Sequence, residues 1–188
     1  MNHIGTESLE TKRLILRRYQ LSDAEDAFLN WTNSENVTKF LTWTPHATIE
    51  ETKEYIAECC VKNYEKKDFY LWVIVDKETD VCIGSIGIND IREDTACCEI
   101  GYCLSDIYWG KGIMTEAFNE VIRFLFMTVG FNRIQSTHDV NNPASGRVME
   151  KCGLQYEGTL RQYNRNNQGL YDTVVRAILK EDYDRCSD

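Results

Sequence analysis

Apolar residues recur along this chain at two spacings, and the switches between them mark its elements. "RLILRRY" (13–19) is β-branched and apolar and predicts a strand; "SDAE" then sets Ser22 and Glu25 at capping-box spacing ahead of Ala27, Phe28 and Trp31, which predicts a helix. A second box, Thr48 with Glu51, opens a helix that carries Ile49, Ile56 and Cys60 and should end near Tyr64. The aromatic-rich "VTKFLTWTPHA" between them reads as a loop. "FYLWVIVD" and "VCIGSIGIND" flank the polar turn "KETD" as a hairpin, and "TACCEIGYCLS" adds a third extended segment. The period then becomes helical: Met114, Ala117, Phe118, Val121, Ile122 and Leu125 share one face, and Gly130 supplies the stop.

After that helix "RIQSTHDV" reads as a strand. In "NNPASGRVMEKCG", Asn142 can cap a short helix, Pro143 fits its first turn and Gly153 fits the left-handed position beyond its end. "LQYEGTLRQYN" and "YDTVVRAILK" close the chain as a hairpin around "RNNQG". The order predicts an α/β (α+β) fold with about seven strands and four helices, the sheet mostly antiparallel. Within it, a strand, helix and strand over residues 97–140 should form a parallel pair with a right-handed crossover. No composition shift or linker divides the 188 residues, which predicts one domain over 1–188 with its core between about 9 and 183.

Composition narrows the function classes. Hydrophobic residues make up 43% and charged residues 27% of the chain, and the longest apolar runs are interrupted, so no membrane segment is expected. The first residues lack a signal-peptide core, and the expected location is the cytoplasm. The net charge of -9 argues against a nucleic-acid surface and is compatible with a cationic partner. The eight cysteines show no C-x-x-C spacing, and His3, His46 and His138 form no H-x-x-x-H pair, so neither a disulfide framework nor a metal site is expected.

The candidate chemistry lies in "YWGKGIMTEA" (108–117), at the junction of a predicted strand and helix. The first N–H groups of a helix lack intrahelical partners, the helix dipole is positive there, and glycines let an anion approach the backbone. The stretch is neither a Walker loop nor a dinucleotide fingerprint, since Thr115 stands where the third small residue belongs. A bare glycine turn that binds nothing has the same local pattern.

Following "CEIGYCLS" and preceding "NPASGRVMEKCGL", the stretch resembles motif A and its sequel in the GCN5-related N-acetyltransferases, the GNAT superfamily. The resemblance runs from "LETKRLILRRYQLSDAEDAF" to "DTVVRAILKEDY" and is greatest to the RimJ/RimL-type, ribosomal-protein alanine acetyltransferase-like branch. It implies a GNAT-type fold and an acetyl-coenzyme A-dependent transfer to a primary amine, either a protein N-terminus or a small amine. The protein would act as a monomer or homodimer. The other implied possibility is an acyl-coenzyme A sensor or partner-binding module without catalysis.

By resemblance, Trp109, Gly110, Lys111, Gly112, Ile113, Met114 and Thr115 surround the pyrophosphate, with Trp109 and Met114 departing from the family's Gln/Arg and Gly/Ala. Tyr102, Cys103 and Leu104 would face the acetyl and pantetheine end, and Asn142 the pantetheine amides. Glu99 matches a carboxylate that serves as base or holds the acceptor ammonium. Many members carry a tyrosine acid where Met149 stands here, and Ser145 is the implied replacement. Phe40, Trp43 and Tyr163 would border the acceptor groove, and no cysteine nucleophile is implied.

Overall fold

The computed structural model describes residues 1–187. One eight-stranded sheet organises the chain: β1 (Leu9–Glu10), β2 (Leu14–Arg17), β3 (Leu71–Asp76), β4 (Val81–Arg92), β5 (Cys97–Leu104), β6 (Arg133–Asp139), β7 (Gln155–Asn166) and β8 (Gly169–Leu179). They lie in the order β1-β2-β3-β4-β5-β6-β8-β7. Only the β5–β6 pair is parallel. Helical residues 113–129 join these two strands.

Helical segments are α1 (21–32), α2 (Glu35–Thr38), α3 (49–65), α4 (113–129), α5 (Pro143–Lys151) and α6 (Lys180–Ser187), with a short 3-10 turn at Asp106–Tyr108. Three differences from the expected order have identifiable causes. Ser34 caps α2 by accepting from the Val37 N–H, which turns part of the predicted loop helical. α6 has almost no apolar stripe; it is held by Arg185 pairing with Glu181 and Asp182 and by the Tyr183 ring against Phe126. α1 is not opened by Ser22 and Glu25. Asp23 instead accepts the Gln20 N–H while pairing with Arg17, so a tertiary ion pair chose the capping residue.

The apolar run of β3 is continuous because both faces of the sheet are covered. Trp72 and Ile74 point into a core shared with Phe118, Val121 and Phe124 of α4, while Val73 and Val75 meet Trp31 of α1 and Ile56 of α3. The helix ends obey the predicted punctuation. Thr48 accepts from the Glu51 N–H, Asn142 from the Ser145 N–H, and Gly130 and Gly153 take positive φ just beyond α4 and α5. The seven described cysteines are free, and among the described residues no helix is long and apolar enough to cross a membrane.

The start of α4 is fixed from behind. The Glu116 carboxylate accepts from Thr11 Oγ1 at 2.6 Å, from the Arg13 N–H at 2.9 Å and from Arg13 Nε at 2.7 Å, and Arg13 Nη1 donates to the Lys111 carbonyl at 3.1 Å. Burial raises the carboxyl's pKa, but the bonds from Thr11 and Arg13 outweigh it and hold it below the ordinary value. A depressed folded pKa gives stability that is complete above the unfolded pKa and drains away as pH falls through the folded one. Acidification from about pH 5 to about pH 3 should therefore destabilise the wild type more than Glu116→Gln, read as urea midpoints at each pH. Equal losses would mean that the β1–β2 turn is not held through this ionised carboxylate.

Candidate active site

The site forms where the parallel pair comes apart. β5 and β6 are in register at Cys97, Cys98 and Glu99 only, and the buried Ser136 hydroxyl bridges to the Ile100 carbonyl at 2.7 Å where they separate. Gly101, Tyr102 and Cys103 have no partner on β6, although they remain paired with β4. At the far end the Trp109 indole N–H donates to the Leu104 carbonyl at 2.8 Å. A cleft of about 510 Å³ opens beside this segment.

One end of the cleft is the glycine turn before α4. Gly110 and Gly112 have φ of 74° and 73°, the left-handed region where glycine avoids the cost of a Cβ, and an added Cβ at Gly110 would meet nothing within 4 Å. Gly112 is the N-cap residue of α4 and brings no side chain to cap it, whereas Ser34, Thr48 and Asn142 each cap their helices with an oxygen. The N–H groups of Ile113, Met114 and Thr115 are thus left to an outside acceptor, at the positive end of a 17-residue helical segment. That arrangement fits a phosphate.

Along the opposite wall runs α5. The Tyr102 hydroxyl lies 2.9 Å from the Ser145 carbonyl and 3.0 Å from Ser145 Oγ, joining β5 to the first turn of α5 across the cleft. Burial raises the phenol's pKa, the bond with Ser145 opposes that, and the shift stays upward, so Tyr102 is protonated at neutral pH. Cys103 is half-buried, and desolvation pushes its thiol up to about 12, which leaves no thiolate nucleophile there.

Of the residues singled out in the sequence, Phe40, Tyr102, Cys103, Leu104, Trp109, Gly110, Gly112, Ile113, Met114, Thr115, Asn142 and Ser145 line this one cleft. Four do not. Lys111 turns its ammonium over the Tyr108 ring at 5.1 Å and lines a neighbouring cavity with Arg13 and Lys77. Glu99 sits at the parting of the strands, where Gln135 Nε2 and Thr137 Oγ1 donate to its carboxylate at 2.9 and 3.2 Å. Trp43 packs against His46 and Tyr163 is exposed. Met149 is buried in the core, so its position offers the cleft nothing.

Sequence reasoning missed the Tyr102–Ser145 contact, which links residues 43 apart. It also missed Asn167 in the β7–β8 turn. Its side-chain amide donates to the Thr38 and Trp43 carbonyls and its N–H to the Leu41 carbonyl, holding the loop that carries Phe40. Asn in a turn is the usual signal for such backbone bonding, but not for its target. The overall negative charge does not enter the cleft: its lining contains Lys39, Arg147 and Lys151 and no Asp or Glu.

Residues 13–155 match the family model of the acetyltransferase (GNAT) domain. N-acetyltransferase p20 of Bacillus licheniformis is 33% identical over 177 residues, covering 94% of this chain and 98% of its own length. The ribosomal-protein-S5-alanine acetyltransferase of Vibrio fischeri superposes with a TM-score of 0.82 at 25% identity, over 94% of this chain and 98% of that one. The microcin C7 self-immunity acetyltransferase MccE, solved with acetyl-coenzyme A and AMP, does so with 0.79 at 25%, over 90% and 93%. By this match and this likeness, the chain belongs to the GNAT family of acetyltransferases.

Proposed function

We propose that the protein transfers the acetyl group of acetyl-coenzyme A to a primary amine, a protein N-terminal residue or a small amine, by direct attack. The observation that carries this reading is the single cleft joining an uncapped, glycine-led helix start to a hydroxyl pair beside unpaired strand backbone. Bound acetyl-coenzyme A supplies an acetyl group activated as a thioester. The N–H groups of Ile113, Met114 and Thr115 hold its pyrophosphate, with Gly110 and Gly112 allowing the close approach and Trp109 walling the turn.

The segment Gly101–Cys103, without a partner on its β6 side, provides the backbone donors available to polarise the acetyl carbonyl. Asn142 spends its side-chain oxygen on capping α5 and keeps its amide N–H groups for the pantetheine arm. Ser145 donates a hydrogen bond to the departing sulfur. Glu99, oriented by Gln135 and Thr137, receives the amine proton through water or holds the ammonium before attack. Phe40, on the loop held by Asn167, borders the acceptor, with Trp43 and Tyr163 further out.

The buried Met149 favours the second reading, coenzyme binding without transfer; the Tyr102–Ser145 pair supports catalysis by supplying hydroxyl groups from elsewhere. Thermal unfolding with acetyl-coenzyme A, coenzyme A, ATP and NAD in parallel tests the binding. Ligand at 100 times its Kd stabilises by about 2.7 kcal/mol, which raises the midpoint of a domain this size by roughly 5 to 11 °C. A rise with the two coenzyme A species alone is the expected result, followed by acetylated product in a screen of peptide N-termini and small amines. No rise with either removes the reading; a rise without product from any amine favours the second.

A further inference from the structure

We infer that Arg147 and Lys151 recognise the 3′-phosphate of coenzyme A, so that the protein selects coenzyme A over its dephospho form. The inference rests on the coenzyme reading above and adds a specificity site to it. The chain has 30 Asp and Glu against 21 Lys and Arg, yet no carboxylate lines the cleft and three cations do. Excluding carboxylates from one groove of an acidic protein concentrates positive potential there.

Arg147 and Lys151 stand four residues apart on α5, on the side that lines the cleft. That spacing sets two like charges one turn apart, an arrangement that weakens a helix. Arg13, Arg17, Arg123, Arg133 and Arg185 are each held by a carboxylate, but among the described residues neither Arg147 nor Lys151 is. The helix dipole accounts for a cation in the last turn, hence for Lys151, but not for Arg147 in the middle.

Two contacts fix which end of the coenzyme these cations face. Ser145, at the start of α5, meets Tyr102 where the strands have parted. At the other end, Cys152 Sγ lies 3.6 Å from the Thr115 carbonyl in the first turn of α4, so the end of α5 abuts the phosphate cradle. The rise from Ser145 to Lys151 is about 9 Å, and Arg147 and Lys151 follow the hydroxyl pair in the direction of the cradle. The uncapped N–H groups of α4 already serve a diphosphate. Two further cations beside them match a third phosphate, which no backbone cradle neutralises.

Calorimetric titration of the full chain with coenzyme A and with dephospho-coenzyme A tests this. Wild type should bind coenzyme A about 10- to 100-fold more tightly, as expected for charge-assisted hydrogen bonds to one phosphate. In R147A/K151A that ratio should fall to near one, with the dephospho-coenzyme A Kd changed by less than about threefold; both residues are exposed and the fold does not depend on them. Lys39→Ala, in the same cleft, should leave the ratio as it is. Equal weakening of both ligands in R147A/K151A would assign the cations to the shared diphosphate and overturn the inference, as would a ratio lost equally in Lys39→Ala. If wild type binds the two ligands equally, the inference fails while the coenzyme reading stands; if it binds neither, both fail.

Discussion

Trp72→Ala should lower the stability of the protein by about 4 kcal/mol, within the usual 3 to 5 for removing a buried large aromatic. Trp72 is fully buried on β3, its ring meets Phe124 edge-on at 5.8 Å and Tyr70 at 6.1 Å, and its indole N–H donates to the Glu7 carbonyl at 2.7 Å. The substitution opens a cavity between the sheet and α4 and leaves that carbonyl without its partner. Total stabilities of about 5 to 15 kcal/mol make this a large fraction, equivalent to roughly 8 to 16 °C in the unfolding midpoint. Trp72→Phe keeps an aromatic ring against Phe124 and should lose less than half as much. The cradle lies at the other end of α4, about 16 Å from Phe124 along the helix, so coenzyme affinity well below the midpoint should change by no more than about twofold. A loss under about 1 kcal/mol in urea unfolding would show that the core under α4 collapses around the deletion, contrary to the packing described.

Much of this fold was legible because its punctuation is local. Asn142, Pro143 and Gly153 delimit α5 by chemistry contained within a dozen residues, and Gly130 ends α4 because only a residue tolerant of positive φ continues the chain there. The glycine turn at 110–112 is visible for the same reason. What stayed hidden depends on side-chain contacts that apolar spacing does not reveal. Asp23 displaced Ser22 as the capping side chain through Arg17, and α6 carries too little apolar periodicity to announce itself. Glu99 stands out in the sequence, but not Gln135 and Thr137 that donate to its carboxylate, since they lie on a neighbouring strand. Lys111 stands in the middle of the motif and still points away from the cleft, because the direction of a long side chain is set by its surroundings, here Tyr108.

Ser145→Ala should lower kcat by about 10- to 150-fold while changing the Kd for acetyl-coenzyme A by less than about threefold. The Tyr102 phenol has one proton. Its hydroxyl donates to the Ser145 carbonyl at 2.9 Å, so the 3.0 Å contact with Ser145 Oγ is made by the serine proton. That proton rotates freely between the phenol oxygen and the cleft. As the thioester breaks, negative charge collects on sulfur, and the serine hydroxyl can turn to donate to it while Tyr102 continues to hold the serine in place. A hydrogen bond to a charged group is worth about 1.5 to 3 kcal/mol, and realised only in the transition state it gives the stated range in rate. On the proposed mechanism Tyr102 acts through Ser145: burial keeps its pKa high, which makes it a poor acid but a stable donor. Tyr102→Phe should therefore cost about tenfold in kcat, less than Ser145→Ala, and add little to it in the double variant because the two act as one unit. Ser145→Thr keeps the hydroxyl and should recover most of the loss, which a purely structural role at the start of α5 would not produce. Full turnover in Ser145→Ala, or losses in the two single variants that simply multiply in the double, would take the sulfur's hydrogen bond away from this pair.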